Sequence, residues 1–327
     1  MAETAVQLAV DDGQQGGRPG SGNLGDRIFS GTLVILGGMI LVVAGLIVLN
    51  LALVARPLAK DHSLWGFITG IEWNPVEEHF GALTFLYGTL VTSAVAIVVA
   101  VPIAIGLALF ITQFAPAKLG RALTIPVELL AAIPSVVYGL WGLFIVVPWL
   151  RASVEPWLGK YLGFLPLFSG PPIGLGYLAA GLILAVMILP TVVTVSVEVM
   201  RTTPEANREA ALALGATKWE AVMMAVIPYS RAGIVGAVLL GLGRALGETM
   251  AVTMVIGNSP QISASLFAPG YTLPAVIANE FAEATSNVHL AALAGLGLIL
   301  FGTTFLLNAL ARVLVNAVQR GPKRAAA

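Results

Sequence analysis

Six stretches of this chain are too long and too apolar to be anything but membrane crossings. They fall at about residues 31–55, 83–113, 122–149, 173–200, 232–256 and 289–317, each long enough for the ~20 residues a helix needs across ~30 Å of hydrocarbon. Lipid offers the backbone no hydrogen-bond partners, so runs of this length must be helices. The expectation is an all-α membrane protein whose six transmembrane helices lie in a domain of residues 28–327. Residues 1–27 are rich in Gly, Gln and Asp and hold no long apolar run, so they read as a disordered cytoplasmic tail. No cleavable signal pattern precedes the first span.

The rest of the composition removes whole classes of function. Only 10% of the 327 residues are charged and 57% are hydrophobic, against about a quarter charged in a soluble domain. Net charge is zero with no long basic run, which speaks against nucleic acid. There is no cysteine, so disulfides and thiolate chemistry are excluded. The histidines, His62, His79 and His289, are scattered without metal-ligand spacing and read as loop residues, so no metal site is expected. Pro102, Pro134 and Pro190 interrupt the second, third and fourth spans, and the backbone groups they free need neighbouring helices or a water-lined cavity.

Basic residues orient the spans. Twelve of the seventeen Lys and Arg flank one side, with Arg201, Arg208, Lys218 and Arg231 in one loop. Arg56, Lys60, Arg151 and Lys160 flank the other. Both termini and the loop at 201–229 are therefore expected in the cytoplasm. The outer loops carry Trp65, Trp73 and Trp157, which read as headgroup-level anchors, and the last of them holds an apolar stretch too short to span.

The cytoplasmic loop, RTTPEANREAALALGATKWEAVMMAVIPY, is the longest polar interruption between spans on that side. Thr203 before Pro204 suggests an N-cap with proline at the first helical position. Glu205, Arg208 and Glu209 sit against an Ala/Leu run, Gly215 ends that helix, and Thr217-Lys218-Trp219-Glu220 has the spacing of a capping box that starts another. Two short helices closed by Pro228 result. A loop of this kind can be a plain solvated connector. Yet Glu209-Ala210-Ala211 followed by Gly215 resembles the loop with which permeases of ABC importers dock into a groove on a separate ATPase.

The seventeenth basic residue, Arg244, lies inside the fifth span, thirteen residues past Arg231, or about 20 Å deep at ~1.5 Å per residue. An intramembrane charge is costly and should face the bundle interior or a water-filled path. Glu248, at i+4, is expected on the same helix face. The two could form a self-satisfied pair that locks the fold. They could instead line an anion path, the guanidinium offering a planar fork to phosphate and the carboxylate accepting the proton of hydrogen phosphate while repelling sulfate. Gly243 and Gly247 form a Gly-x-x-x-Gly, read as close helix packing. Glu128 and Glu198 lie near the cytoplasmic ends of spans and read as structural or gating residues.

No Gly-x-x-x-x-Gly-Lys-Ser/Thr loop, His-Glu-x-x-His or Gly-x-Ser-x-Gly occurs, so neither ATP hydrolysis by a phosphate loop nor membrane proteolysis is expected here. The segments GLGRALGETMAVTMVIGNSP (241–260), ELLAAIPSVVYGLWG (128–142), FGALTFLYGTLVTS (80–93) and SLFAPGYTLPAVIANEF (265–281) closely resemble the permease subunit of bacterial phosphate ABC importers, the PstC type. That resemblance covers nearly everything after residue 27. It implies the type I ABC importer permease fold in the bacterial inner membrane and a PstA-like second permease. It also implies a PstB-like ATPase homodimer that binds ATP and magnesium, and a PstS-like phosphate-binding protein outside. This chain itself would need no cofactor. In that family the basic and acidic residues of the RALGE segment are associated with phosphate passage, which maps onto Arg244 and Glu248. The alternatives are a permease for sulfate or molybdate, a proton-coupled carrier, and a phosphate-sensing scaffold that does not conduct.

Overall fold

The computed structural model describes residues 24–58 and 63–319; side chains are described from 26 to 313 within these limits. Most of the expected tail, residues 1–23, lies outside them. The chain divides into two units, Met1–Asn50 and Leu51–Ala327. The first contributes most of α1 (Leu24–Val54), which starts before the expected boundary and takes residues 24–27 into the helix.

In the second unit come α2 (Leu64–Thr69), a hairpin of β1 (Trp73–Asn74) and β2 (His79–Phe80), α3 (Leu83–Phe114) and α4 (Ala117–Ala132). These are followed by α5 (Ser135–Leu162), α6 (Tyr177–Arg201), α7 (Glu205–Ala213), α8 (Lys218–Gly247), α9 (Met250–Val255), α10 (Leu273–Glu280) and α11 (Asn287–Gln319). Six helices, α1, α3, α5, α6, α8 and α11, are long and apolar enough to cross a membrane, so this is a multi-pass membrane protein. The two short strands, paired Trp73 with Phe80 and Asn74 with His79, are the departure from all-α among the described residues.

Two expected spans are drawn differently. The 122–149 segment is not one helix: α4 ends at Ala132, Ile133 and Pro134 are extended, and α5 starts at Ser135 and runs to Leu162. Proline at 134 removes one backbone donor and holds the preceding residue out of the helical region, which makes the break. Pro102 and Pro190, by contrast, lie inside continuous helices. The 232–256 segment begins earlier, at Lys218, and stops at Gly247. Pro228 therefore does not close the loop; it lies just past a wider π turn, Val222–Val226, inside the continuing helix.

The pillar of the second unit is α6. Two thirds of its most apolar window is buried, against a third or less in α3, α5, α8 and α11. Small residues make this possible. On α8 a side chain at Gly241 would meet Val192 of α6 at 2.8 Å, and on α3 one at Gly88 would run into the Tyr271 carbonyl. The apolar core has three parts. One centres on Leu150, Tyr177, Ile183 and Phe267 between α5, α6 and α9. A second lies around Phe67, Phe85, Tyr271 and Leu296. A third, with Ala108, Val193, Met200, Val222 and Val226, lies where α3, α4, α6 and α8 converge under the 201–229 loop.

The loop between α9 and α10 packs rather than dangles. Tyr177 and Leu178 N–H donate to Ala268 and Leu266 carbonyls at 3.2 and 2.8 Å, and Leu273 to Val276 of α10 are buried. Nearby, Trp73 is not a headgroup anchor: its indole stands edge-on to Phe80 and Phe85 with ring centroids at 4.8 Å, and its Nε1 donates to Glu280 at 2.9 Å. His289 is no loop residue either. It is buried in the first turn of α11, 3.1 Å from the same carboxylate and stacked on Phe80. Trp65 and Trp157 remain exposed, as an anchoring role requires.

Candidate functional site

Two places combine functional side chains with unusual backbone. At the 201–229 loop, α7 is built as the residues demand. Gly215 adopts φ +89°, a left-handed conformation that costs other residues about 1–2 kcal/mol, and its N–H closes onto Leu212 O at 2.9 Å. Thr217 Oγ1 accepts from Glu220 N–H at 3.3 Å while Glu220 accepts from Thr217 N–H at 2.7 Å, the reciprocal capping box read from the sequence. The start of α7 differs. Pro204 is the N-cap, α7 begins at Glu205, and Thr203 instead meets Ser230 at 3.1 Å, Oγ to Oγ. That partner lies twenty-seven residues along the chain, out of reach of any local capping rule.

On the loop, Glu205, Glu209, Ala210 and Gly215 are exposed and Ala211 is half-buried. None of the residues of α7 is buried. The residue that sequence reasoning missed is Leu214, 90% exposed at the tip, flanked by Leu212 and Trp219, both also exposed. An isolated leucine before a helix-ending glycine was the available signal.

The second place is the break between α8 and α9. Arg244 lies in the last turn of α8, exposed, with its guanidinium within electrostatic reach of the Tyr138 hydroxyl, which itself donates to Leu130 O at 2.7 Å. Glu248 does not share its helix face. Helix α8 stops at Gly247, Glu248 is extended (φ −71°, ψ 127°), and its Oε1 accepts the Ala251 N–H of α9 at 3.2 Å. No Arg244–Glu248 ion pair forms among the described residues. The reason is local: a cation at a helix C-terminus and an anion at a helix N-terminus each interact favourably with a helix dipole, so neither charge needs the other. The fold-locking pair is replaced by two separately held charges.

This break lies beside the one at Pro134. Helix α9 packs on the first turns of α5 so closely that a side chain at Gly139 would meet Met254 Sδ at 2.6 Å and Ala251 Cα at 3.0 Å. Non-helical backbone at membrane depth survives only buried in protein or against a water-filled cavity. The two breaks adjoin, and the one between α8 and α9 carries an exposed arginine. Gly243 and Gly247 do not supply the close packing expected of them within this chain: a side chain at either would meet nothing within 4 Å. Glu198 forms an exposed pair with Arg201 at 3.7 Å, and Glu128 is exposed.

At the β1–β2 hairpin Glu72, Glu77 and His79 bring possible ligand atoms within 4.8 Å of one another, a grouping the spacing did not suggest. All three are exposed, the state of an ordinary solvated acidic turn.

Residues 100–323 match the family model described as binding-protein-dependent transport system inner membrane component. The phosphate transport system permease protein PstC of Mesorhizobium japonicum is 46% identical over 299 residues, 90% of this chain and 91% of that protein. PstC 2 of Mycobacterium tuberculosis is 40% identical over 306 residues, 91% of this chain and 94% of the relative. Among solved structures, a chain of the inward-facing MetNI methionine ABC transporter aligns with a TM-score of 0.53 at 18% identity, covering 72% of this chain and 97% of its own. A chain of a bacterial alginate ABC transporter, in complex with an alginate-bound periplasmic protein, aligns at 0.52 and 17%, covering 89% and 98%. Those two likenesses show the type I importer permease fold; the family model and the sequence identities place the chain in the binding-protein-dependent inner membrane permeases and, within them, in the PstC-type phosphate permeases.

Proposed function

We propose that this chain is the permease subunit of an ATP-driven importer of inorganic phosphate, forming the translocation path together with a homologous second, PstA-like permease. The observation that carries this reading is the 46% identity with a phosphate permease over nine-tenths of both chains. Arg244 adds a chemical reason. It is an exposed guanidinium without an ion-pair partner among the described residues, at the α8–α9 break, and its planar donors suit a tetrahedral oxyanion. In this reading Glu248, one residue beyond the end of α8, accepts the proton of hydrogen phosphate. Binding at such a point must be shallow, since a deep well would hold the ion instead of passing it on.

The motor is a separate PstB-like ATPase dimer carrying ATP and magnesium; this chain brings no cofactor of its own. Leu214, projecting beside Glu209, Ala210, Ala211 and Gly215, supports docking into an ATPase groove. ATP binding draws the docked loop and tips the helices from inward-open to outward-open, and a PstS-like binding protein delivers phosphate from outside. Both termini and the 201–229 loop face the cytoplasm in this scheme.

Reconstitution of the chain with the second permease, the ATPase and the binding protein tests it. Phosphate-loaded binding protein should stimulate ATP hydrolysis and fill the vesicles with phosphate, and sulfate should compete poorly. Transport by the chain alone, or equal uptake of sulfate, would overturn the reading.

A further inference from the structure

Beside the coupling loop lie two adjoining cavities to which the proposed transport cycle assigns no role. The first, about 170 Å³, is lined in part by Thr112, Gln113, Arg201, Thr203, Glu205 and Arg208. The second, about 210 Å³, is lined by Gln113, Arg208, Leu212, Lys218, Ala221 and Val222. Gln113 and Arg208 belong to both. The second cavity has two cations and no carboxylate in its lining, over a floor of the fully buried Ala221 and Val222.

The nearby acids are occupied elsewhere or absent from this cavity. Glu198 pairs with Arg201, Glu220 is held by the Thr217 cap at 2.7 and 2.8 Å, and Glu205 lines only the first cavity. Among the described residues neither Arg208 nor Lys218 has an ion-pair partner. Gln113 completes the set: its Oε1 is buried without a hydrogen-bond partner. A buried unsatisfied acceptor is a standing cost, and the half-buried Arg208 and exposed Lys218 leave positive charge that no carboxylate in the lining balances. One ligand offsets both: a phosphate group whose anionic oxygens face Arg208 and Lys218 and whose P–O–H donates to Gln113. Fully ionised sulfate has the charge but not the donor.

We propose that this cavity is a cytoplasmic phosphate-group site that ties the coupling loop to the membrane body. Its three contacts lie on three elements, Gln113 at the end of α3, Arg208 on α7 and Lys218 at the start of α8, so occupancy resists motion of the loop. Free phosphate accumulating inside would then slow its own import. The phosphomonoester headgroup of phosphatidic acid, which keeps a P–O–H when singly ionised, offers the same chemistry. The proposal rests on the reading of the 201–229 loop as the cytoplasmic ATPase coupling element.

Trp219 is a built-in reporter: it follows Lys218, and its ring lies 6.3 Å from that of Phe114, the neighbour of Gln113. The complete transporter is placed in phosphatidylcholine vesicles with the ATPase outward, and Trp219 emission, isolated by subtracting a Trp219→Phe variant, is followed as inorganic phosphate is added outside. Emission should change saturably and ADP release should slow, with sulfate at equal ionic strength much weaker. Lys218→Gln and Gln113→Leu should each raise the half-saturating phosphate about tenfold, the loss of one charge-assisted or buried hydrogen bond, while Lys218→Arg should not. In vesicles containing phosphatidic acid, a signal already present before phosphate, and lost in Lys218→Gln, assigns the site to lipid headgroups. No emission change in either lipid, an equal response to sulfate, or unchanged responses in both variants overturns the proposal. So does an emission change on adding the ATPase alone that phosphate leaves unaffected, because an acidic side chain of the ATPase then fills the cavity. Release of labelled phosphate enclosed with the binding protein is read in the same vesicles, so failure of this site is distinguishable from failure of the transport reading.

Discussion

Under the proposed transport function Glu248 has two duties, one in the fold and one in the substrate path. Its carboxylate replaces a backbone acceptor lost where α8 stops, taking the Ala251 N–H at 3.2 Å, yet it remains half-buried beside the exposed Arg244. Glu248→Gln separates the two duties, because an amide oxygen still accepts that N–H but carries no charge. The variant should fold and assemble normally, while phosphate uptake falls and the preference over sulfate narrows by about tenfold, equivalent to ~1.4 kcal/mol. Unchanged rate and selectivity in paired uptake assays would remove Glu248 from the path. Leu214 makes the opposite case, a side chain with no duty in the fold. At 90% exposure, Leu214→Ala should leave the melting temperature of the purified chain where it is. It should weaken ATPase binding by ~1–2 kcal/mol if Leu214 anchors the docking surface, which titration of the ATPase against the assembled permeases measures.

Among the elements, what was legible followed from local chemistry, and what was missed depended on partners far along the chain. The α7 end at Gly215 and the Thr217/Glu220 box come from neighbouring residues and stand as read. The six crossings were legible because length and apolarity are local sums. Hydropathy is indifferent to where one backbone hydrogen bond fails, so it joined α4 to the start of α5 across Pro134 and carried α8 past Gly247. Thr203 was assigned to a cap because capping is a local rule, whereas its hydroxyl meets Ser230 on another turn of the fold. The glycines divide in the same way, since sequence alone cannot tell a contact from open space. On α3, Gly88 faces the Tyr271 carbonyl whereas Gly106 faces nothing within 4 Å. Gly88→Ala should therefore destabilise by ~1–3 kcal/mol through overpacking. Gly106→Ala in the same helix should be neutral or stabilising by up to ~1 kcal/mol. Thermal unfolding in detergent compares the two, and equal melting temperatures would mean that α3 does not lie against the loop between α9 and α10 as described.

For the molecule as a whole, α8 carries two sets of glycines with different neighbours. Gly233 and Gly241 face α6, where a side chain would collide with Val199 or come within 2.8 Å of Val192. Gly236, Gly243 and Gly247 face open space, and Arg244 is exposed between the last two. Only 28% of the most apolar window of α8 is buried inside the chain. Small residues at Gly-x-x-x-Gly spacing permit close helix approach, and in lipid such approach replaces the hydrophobic drive that operates in water. If the proposed second permease packs on Gly243 and Gly247, Arg244 lies at the seam between two subunits, where a path for phosphate would run. Gly243→Leu and Gly247→Leu should leave the chain's own unfolding temperature within about 1 °C, since surface changes away from packed features stay within ~0.5 kcal/mol, but should sharply reduce co-purification of the second permease. Ala at the same positions should have a smaller effect, because the loss scales with the bulk that separates the helices. If both leucine variants co-purify with the partner as the parent chain does, this face looks onto lipid, and the phosphate path must be sought away from Arg244.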